Sequence, residues 1–255
     1  MFGFLQAGDR PGRVPSWEPL FFHHIAKTAG TSLIRALRAL TPRDLRCTER
    51  GNLSAAYSAA LVARGLRPGQ FIYGHPGTAA ALPLRGRVRI VTLLRNPRDQ
   101  AISNYFWLRK DFRVPDHAAA RRLGFRDFLL SHPYFAIFQA ASLHVGIERT
   151  PLRRTEDLID RLPLIFAYLE EMHLVGTVGQ VEAFFARLAG EMGRAVPPPL
   201  PHRRRTWLTA ARRAALAAEF DALQQHPVLG PLLAAEQAVY AKAQALARAQ
   251  GMVTP

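Results

Sequence analysis

The chain's 255 residues suffice for a sizeable buried core, and 49% apolar with 21% charged side chains excludes a disordered or collagen-like polymer. Its 34 basic against 19 acidic residues leave a formal charge of +15, and with Lys27, Lys110 and Lys242 the only lysines, arginine carries the surplus. Arginine suits bidentate contact with phosphate or sulfate, although an Arg- and Ala-rich, Lys-poor composition also follows from GC-rich coding.

The stretch MFGFLQAGDR has no basic start followed by an apolar run, so no signal peptide is expected, and residues 1–19 read as a loose leader. Leu20–Ile25 is predicted to be a short buried strand and Ala26–Gly30 a tight loop. From there Leu33, Ala36, Leu37 and Leu40 follow one-face helical spacing until Thr41-Pro42 stops the run. The single cysteine, Cys47, excludes an intrachain disulfide and a multi-cysteine zinc or iron–sulfur site, and fits a reducing compartment. Phe71–Tyr73 reads as a second strand, stopped by Gly74 and Pro76. Val88–Leu94 reads as a third, continuously apolar like a strand covered on both faces.

A helix then starts sharply: Asn96 is a good N-cap, Pro97 suits the first helical position, and Asp99 complements the dipole. Phe128–Ile147 lacks charges and is long enough to span a bilayer. Ser131, His132, Pro133, Gln139, Ser142 and His144 make it a poor membrane helix, so buried helix and turn are expected. Helical patterns at Asp157–Glu170 and Val178–Glu191 flank a brief strand, His173–Gly176. A proline-rich run, Val196–Pro201, leads into Arg203-Arg204-Arg205, and two Ala-rich helices, Thr209–Gln224 and Gly230–Gln250, close the chain. Strands alternating with helices predict one α/β domain with a mainly parallel sheet. Its core would span residues 20–194, with a basic loop and a helical C-terminal part over 195–255.

Chemistry concentrates in two segments. In FFHHIAKTAGTSL (residues 21–33) a buried strand runs through small residues into a helix, whose first N–H groups and positive dipole end make an anion cradle. Ala29 and Gly30 allow close approach, Thr28, Thr31 and Ser32 add hydroxyls, and Lys27 adds a point charge. A Walker A loop would end Gly-Lys-Ser/Thr, whereas here Lys27 precedes Gly30. In VTLLRNPRDQAISNY (residues 91–105), Arg95 sits where a strand ends, and Ser103 shares a helix face with Asn96. A guanidinium and a hydroxyl can thus converge on one phosphate. The first segment alone also reads as a plain strand–turn–helix with a capping Thr or Ser, and a lone Arg–Ser pair carries little by itself; together they weigh more.

Residues 22–33 resemble the 5′-phosphosulfate motif of sulfotransferases that use 3′-phosphoadenosine 5′-phosphosulfate (PAPS), and among them the carbohydrate sulfotransferases related to heparan sulfate 2-O-sulfotransferase. That family's core reads His-Ile-Pro-Lys-Thr-Ala-Gly-Thr-Ser. This chain has His24, Ile25, Ala26, Lys27, Thr28, Ala29, Gly30, Thr31 and Ser32, with Ala26 in place of the proline. Residues 94–104 are similar to the family's 3′-phosphate motif, HLVGTVGQVEAFFARL (residues 173–188) to its Val-Gly-Thr segment, and HRRRT (residues 202–206) to its nucleotide-covering basic loop.

The resemblance implies a P-loop-like three-layer fold binding PAPS. Lys27 would touch the bridging oxygen of the sulfate, and Thr28, Gly30, Thr31 and Ser32 the 5′-phosphate. Arg95 and Ser103 would hold the 3′-phosphate, with Arg204, Arg205 and Thr206 as further contacts. His75, in FIYGHPGT, resembles the family's catalytic base and leaves the end of a short strand; as a bare residue it reads equally as a turn cap. Strand alternation should send His23 and His24 to opposite faces, with His24 packing beside the loop.

The implied acceptor is a sugar or glycolipid hydroxyl. Candidate groups for it are Tyr105, Trp107, Arg109, Lys110, Arg113, His117, Arg121 and Arg122, while Tyr134–Gly146 is either a wall of that site or plain core. No metal cluster is visible, no metal is required, and a cytoplasmic, bacterial setting is expected. Three other readings stand beside this one: a basic nucleic-acid-binding protein without sequence specificity, a phosphate-loop nucleotide kinase, and a degenerate relative that binds the desulfated cofactor without turnover, which the intact Lys27, Arg95, Ser103 and His75 oppose.

Overall fold

The computed structural model describes residues 16–48, 52–76, 80–147, 154–194, 200 and 208–252. The strands are β1 (Leu20–His23), β2 (Arg46–Cys47), β3 (Asn52–Leu53), β4 (Phe71–Pro76), β5 (Arg89–Leu94) and β6 (Leu174–Thr177). They pair in parallel in the order β2-β4-β1-β5-β6, and β3 takes up the pairing along β4 where β2 has ended.

Alternation along the strands builds two cores. Phe21, Ile25, Ile72 and Leu94 face one side of the sheet, and Phe22, Phe71, Tyr73 and Val91 the other. The second side is covered by α1 (Gly30–Leu40) and α9 (Val181–Glu191), through Leu33 and Leu37 of the first and Phe184, Phe185 and Leu188 of the second. The first and larger side receives α2 (Ala55–Ala63), α3 (Pro97–Leu108), α4 (His117–Arg122), α5 (Phe125–Ser131), α6 (Phe138–His144), α7 (Asp157–Asp160), α8 (Leu162–Glu171), α10 (Ala210–Ala222) and α11 (Leu229–Ala249). The result is the α/β arrangement with a parallel sheet expected from the strand–helix alternation, in the three layers that the family resemblance implies. The C-terminal helices belong to the same core: Leu216, Phe220, Leu232 and Val239 pack into it.

Several elements depart from the sequence reading. The predicted helix over 157–170 is two helices, because Pro163 opens α8 and cannot continue a helix from α7. The first strand stops at His23 rather than Ile25, and β4 runs on to Pro76, so His75 lies inside a strand rather than beyond its end. The elements β2, β3, α2, α4 and α5 carry too little periodicity to be read in advance. Phe128–Ile147 is short buried helices and turns, and among the described residues no helix is long and apolar enough to cross a membrane.

Candidate active site

Three neighbouring strands deliver the site residues to one edge of the sheet. In register, Leu20 pairs Arg89 and His23 pairs Thr92 on one side of β1, while His23 pairs Gly74 on the other. The loop after β1, Arg95 after β5 and His75 near the end of β4 therefore emerge together at the carboxyl ends of parallel strands, where open α/β sheets bind ligands.

The loop is held by its carbonyls. Those of His23, His24, Ile25, Ala26 and Lys27 accept in turn from Thr92 Oγ1 (2.9 Å), His75 Nδ1 (3.2 Å), Thr28 Oγ1 (2.8 Å), Gln100 Nε2 (2.6 Å) and Arg95 Nη1 (3.2 Å). Lys27 and Ala29 take left-handed backbone angles (φ 67° and 62°), a pattern that gathers N–H groups into an anion-binding concavity. Ala29 caps α1 without a side-chain bond, and no carboxylate stands in the helix's first turn, so the positive end of its dipole is uncovered.

Gly30 is required by packing: a Cβ there would lie 2.0 Å from Cδ2 and Nε2 of His24. Thr31 is exposed and Ser32 half-buried at the start of the helix, whereas Thr28 is buried and spends its hydroxyl proton on Ile25.

Arg95 is partly buried, which lowers its pKa; Asp99 works against that shift and Arg213 adds to it. Among the described residues its guanidinium meets a backbone carbonyl rather than a carboxylate, leaving its charge for an anion. Gln139 brackets the Arg95 backbone, accepting from its N–H at 2.7 Å and donating to its C=O at 2.9 Å. The Gln139 amide group also donates to Glu236, which accepts from the backbone N–H groups of Gln139 and Ala140 as well. Burial pushes the Glu236 carboxyl up to about 7, opposed by those hydrogen bonds. Ser103 is buried two turns along α3 from Asn96; the Arg95 guanidinium bonds to the loop instead.

His75 stacks on His24 with ring centroids 4.3 Å apart, and the same His24 stacks on Phe22 while His23 turns to Tyr168, so the two histidines point to opposite faces as alternation requires. Since a carbonyl only accepts, the bond to His24 O puts the proton on His75 Nδ1 and the lone pair on Nε2. Burial lowers the pKa of His75, with the backbone bond working the other way. The ring is accordingly neutral at pH 7 with a proton-accepting nitrogen.

No protein-family model matches the chain, and no curated protein does. Solved structures similar to it include a crystal structure of a sulfotransferase from Alicyclobacillus acidocaldarius, at 15% identity and a TM-score of 0.46, covering 87% of this chain and 95% of that one. Another is a crystal structure of mouse sulfotransferase SULT7A1 complexed with PAP, the desulfated form of PAPS, at 15% identity and a TM-score of 0.32, covering 90% of this chain and 92% of that one.

Beside His75 opens a cavity of about 350 Å³, walled by Trp107, Tyr134, Phe135 and Phe138 together with Ser142 and Val145. The apolar run from Tyr134 thus lines a cavity as well as filling core. Lys27 Nζ lies 6.0 Å from the Trp107 ring centroid, at the border between loop and cavity. Of the other candidate acceptor groups, Tyr105 is buried with its hydroxyl donating to Leu123 O, and Arg109 bonds that hydroxyl and Ala120 O. Arg113 pairs with Asp111, and His117 Nδ1 bonds Leu108 O. These groups hold α3 to the segment after it and do not line the cavity.

Arg204, Arg205 and Thr206 lie outside the described residues. Among the described residues, no group of three or more His, Cys, Asp or Glu could hold a metal ion.

Sequence reasoning missed Thr92, Gln100, Gln139 and Glu236. Glu236 had a signal: it falls on the apolar stripe of α11 with Leu232, Leu233, Val239 and Ala243, where an acid has no reason to be unless something meets it.

Proposed function

We propose that the chain is a PAPS-dependent sulfotransferase acting on an alcohol. The observation that carries this reading is the contact between Arg95 and the Lys27 carbonyl, which makes one continuous surface of two anion-binding segments, with His75 adjacent.

The residues fit the donor. The uncapped start of α1, the left-handed turns at Lys27 and Ala29 and the Lys27 ammonium suit the 5′ end, with Thr31 and Ser32 adding hydroxyls. Arg95 and Ser103 suit the 3′-phosphate, and the family resemblance adds Arg204, Arg205 and Thr206. PAPS, when bound, supplies the sulfuryl group: the alcohol oxygen gains the bond to sulfur, the bridging S–O bond breaks, and its electron pair leaves on the 5′-phosphate of PAP.

Lys27 and the loop N–H groups stabilise the negative charge that grows there, a transition-state interaction more than a ground-state one. Nε2 of His75 takes the hydroxyl proton, which its neutral state permits.

Titration calorimetry with PAP, ADP and ATP tests the reading. Tight binding of PAP alone, lost in Arg95→Ala, supports it. Magnesium-dependent ATP binding would replace it with a kinase, and salt-sensitive RNA binding that PAP does not displace would replace it with a nucleic-acid binder.

A further inference from the structure

We infer that the acceptor is an uncharged alcohol carried on an aromatic body, not a uronate- or sulfate-bearing sugar; this rests on the sulfuryl-transfer reading above. The cavity that reaches His75 is walled by Trp107, Tyr134, Phe135 and Phe138, and its described lining holds one carboxylate, Asp116, and neither lysine nor arginine. Tyr134 and Phe138 meet edge to face at 5.4 Å, and the Phe135 and Phe138 rings lie nearly parallel at 6.0 Å, leaving an aromatic guest both faces and edges to pack against.

An anionic sugar would surrender its hydration here and meet Asp116, while the cation at the border, Lys27, is the one that suits the 5′ end of the donor. Polar side-chain groups in the described lining are His24, His75, Asp116, the tips of Trp107 and Tyr134, and Ser142, which already donates to Phe138 O. One hydroxyl on an apolar ring fits this lining: His75 Nε2 accepts its proton, and the ring packs against the aromatic walls. Tyr134, though part of the lining, is 43% exposed, so a guest of this kind covers apolar surface that water otherwise wets. The volume of about 350 Å³ suits a small ligand.

The probe is 2-naphthol, compared with a uronate-bearing disaccharide, both with PAPS as donor. The naphthol is expected to be sulfated with the higher kcat/KM, and to change its own fluorescence on binding the PAP-loaded protein, a readout independent of turnover. Phe138→Ala, and Tyr134→Ala on the cavity rim in case the first does not fold, are each expected to raise the naphthol KM about tenfold with PAP affinity unchanged. Preferred turnover of the disaccharide, or naphthol binding untouched by both variants, overturns the inference. If PAP does not bind at all, the sulfuryl-transfer reading fails; naphthol fluorescence with the protein alone then judges the cavity, and no change would overturn the aromatic assignment too.

Discussion

Nη1 of Arg95 lies 3.2 Å from the carbonyl oxygen of Lys27, so the residue that follows β5 holds the loop that follows β1. Removing the guanidinium takes away both a tether and a partly buried positive charge. Arg95→Ala is expected to weaken PAP binding by about a hundredfold or more, in line with truncating one partner of a desolvated charge pair. Calorimetry decides it: unchanged affinity would strip Arg95 of its role.

Lys27→Ala and His75→Ala are each expected to lower turnover by about two to four decades, the usual worth of one charge-stabilising or proton-accepting group. The two should part in binding, because His75 lines the aromatic cavity: its variant is expected to keep PAP affinity.

The pH profile separates a base from a packing residue. Burial holds the His75 pKa below its ordinary 6.5, so kcat/KM should be level through neutral pH and fall only below that value as Nε2 becomes protonated. An acid limb centred above 6.5 would remove His75 from this role.

Gly30→Ala sets a methyl 2.0 Å from the His24 ring, closer than any packed pair tolerates. Overpacking of this kind costs roughly 1–3 kcal/mol. A lowered melting temperature is expected, with recovery in the double variant Gly30→Ala, His24→Ala. A single variant as stable as the parent would show that the loop yields freely.

Glu236 makes stability depend on pH with an unusual sign. Its folded-state pKa, raised by burial to about 7 from an ordinary 4.5, means that the native protein binds the extra proton between those values. Stability from this group therefore falls as pH rises through that window, by roughly 3 kcal/mol. His23 acts oppositely: burial holds it down to about 4, and protonating it costs stability as pH falls below 6.5. The histidine contribution cancels when Glu236→Gln is compared with the parent. The melting-temperature difference, variant minus parent, is expected to climb from pH 5 to pH 8, and a flat difference would show that the carboxyl titrates normally.

The parts of the site that read from sequence are contiguous ones. Lys27 to Ser32 and Arg95 sit at strand ends that open onto helices, and local patterning is enough to mark such junctions. What stayed hidden depends on distant partners. Gln139 looks like one polar residue in an apolar run until Arg95 and Glu236 meet it, and Gln100 is an unremarked helix position until it reaches Ala26 O. The extension of β4 past Tyr73 hinges on Asn52 pairing with His75 through a two-residue strand, which no periodicity can announce. The basic and aromatic side chains from Tyr105 to Arg122 read as acceptor candidates from the sequence. Tyr105 and Arg109, one helical turn apart, bond each other instead.

The connection from Glu236 through Gln139 to Arg95 and Lys27 has a temporal meaning as well. On the ribosome the loop after β1 is made well before α11, which carries the carboxylate that anchors its support. A nascent chain can form strands and close much of the sheet while this support is still missing, so the candidate site is completed only once α11 has emerged.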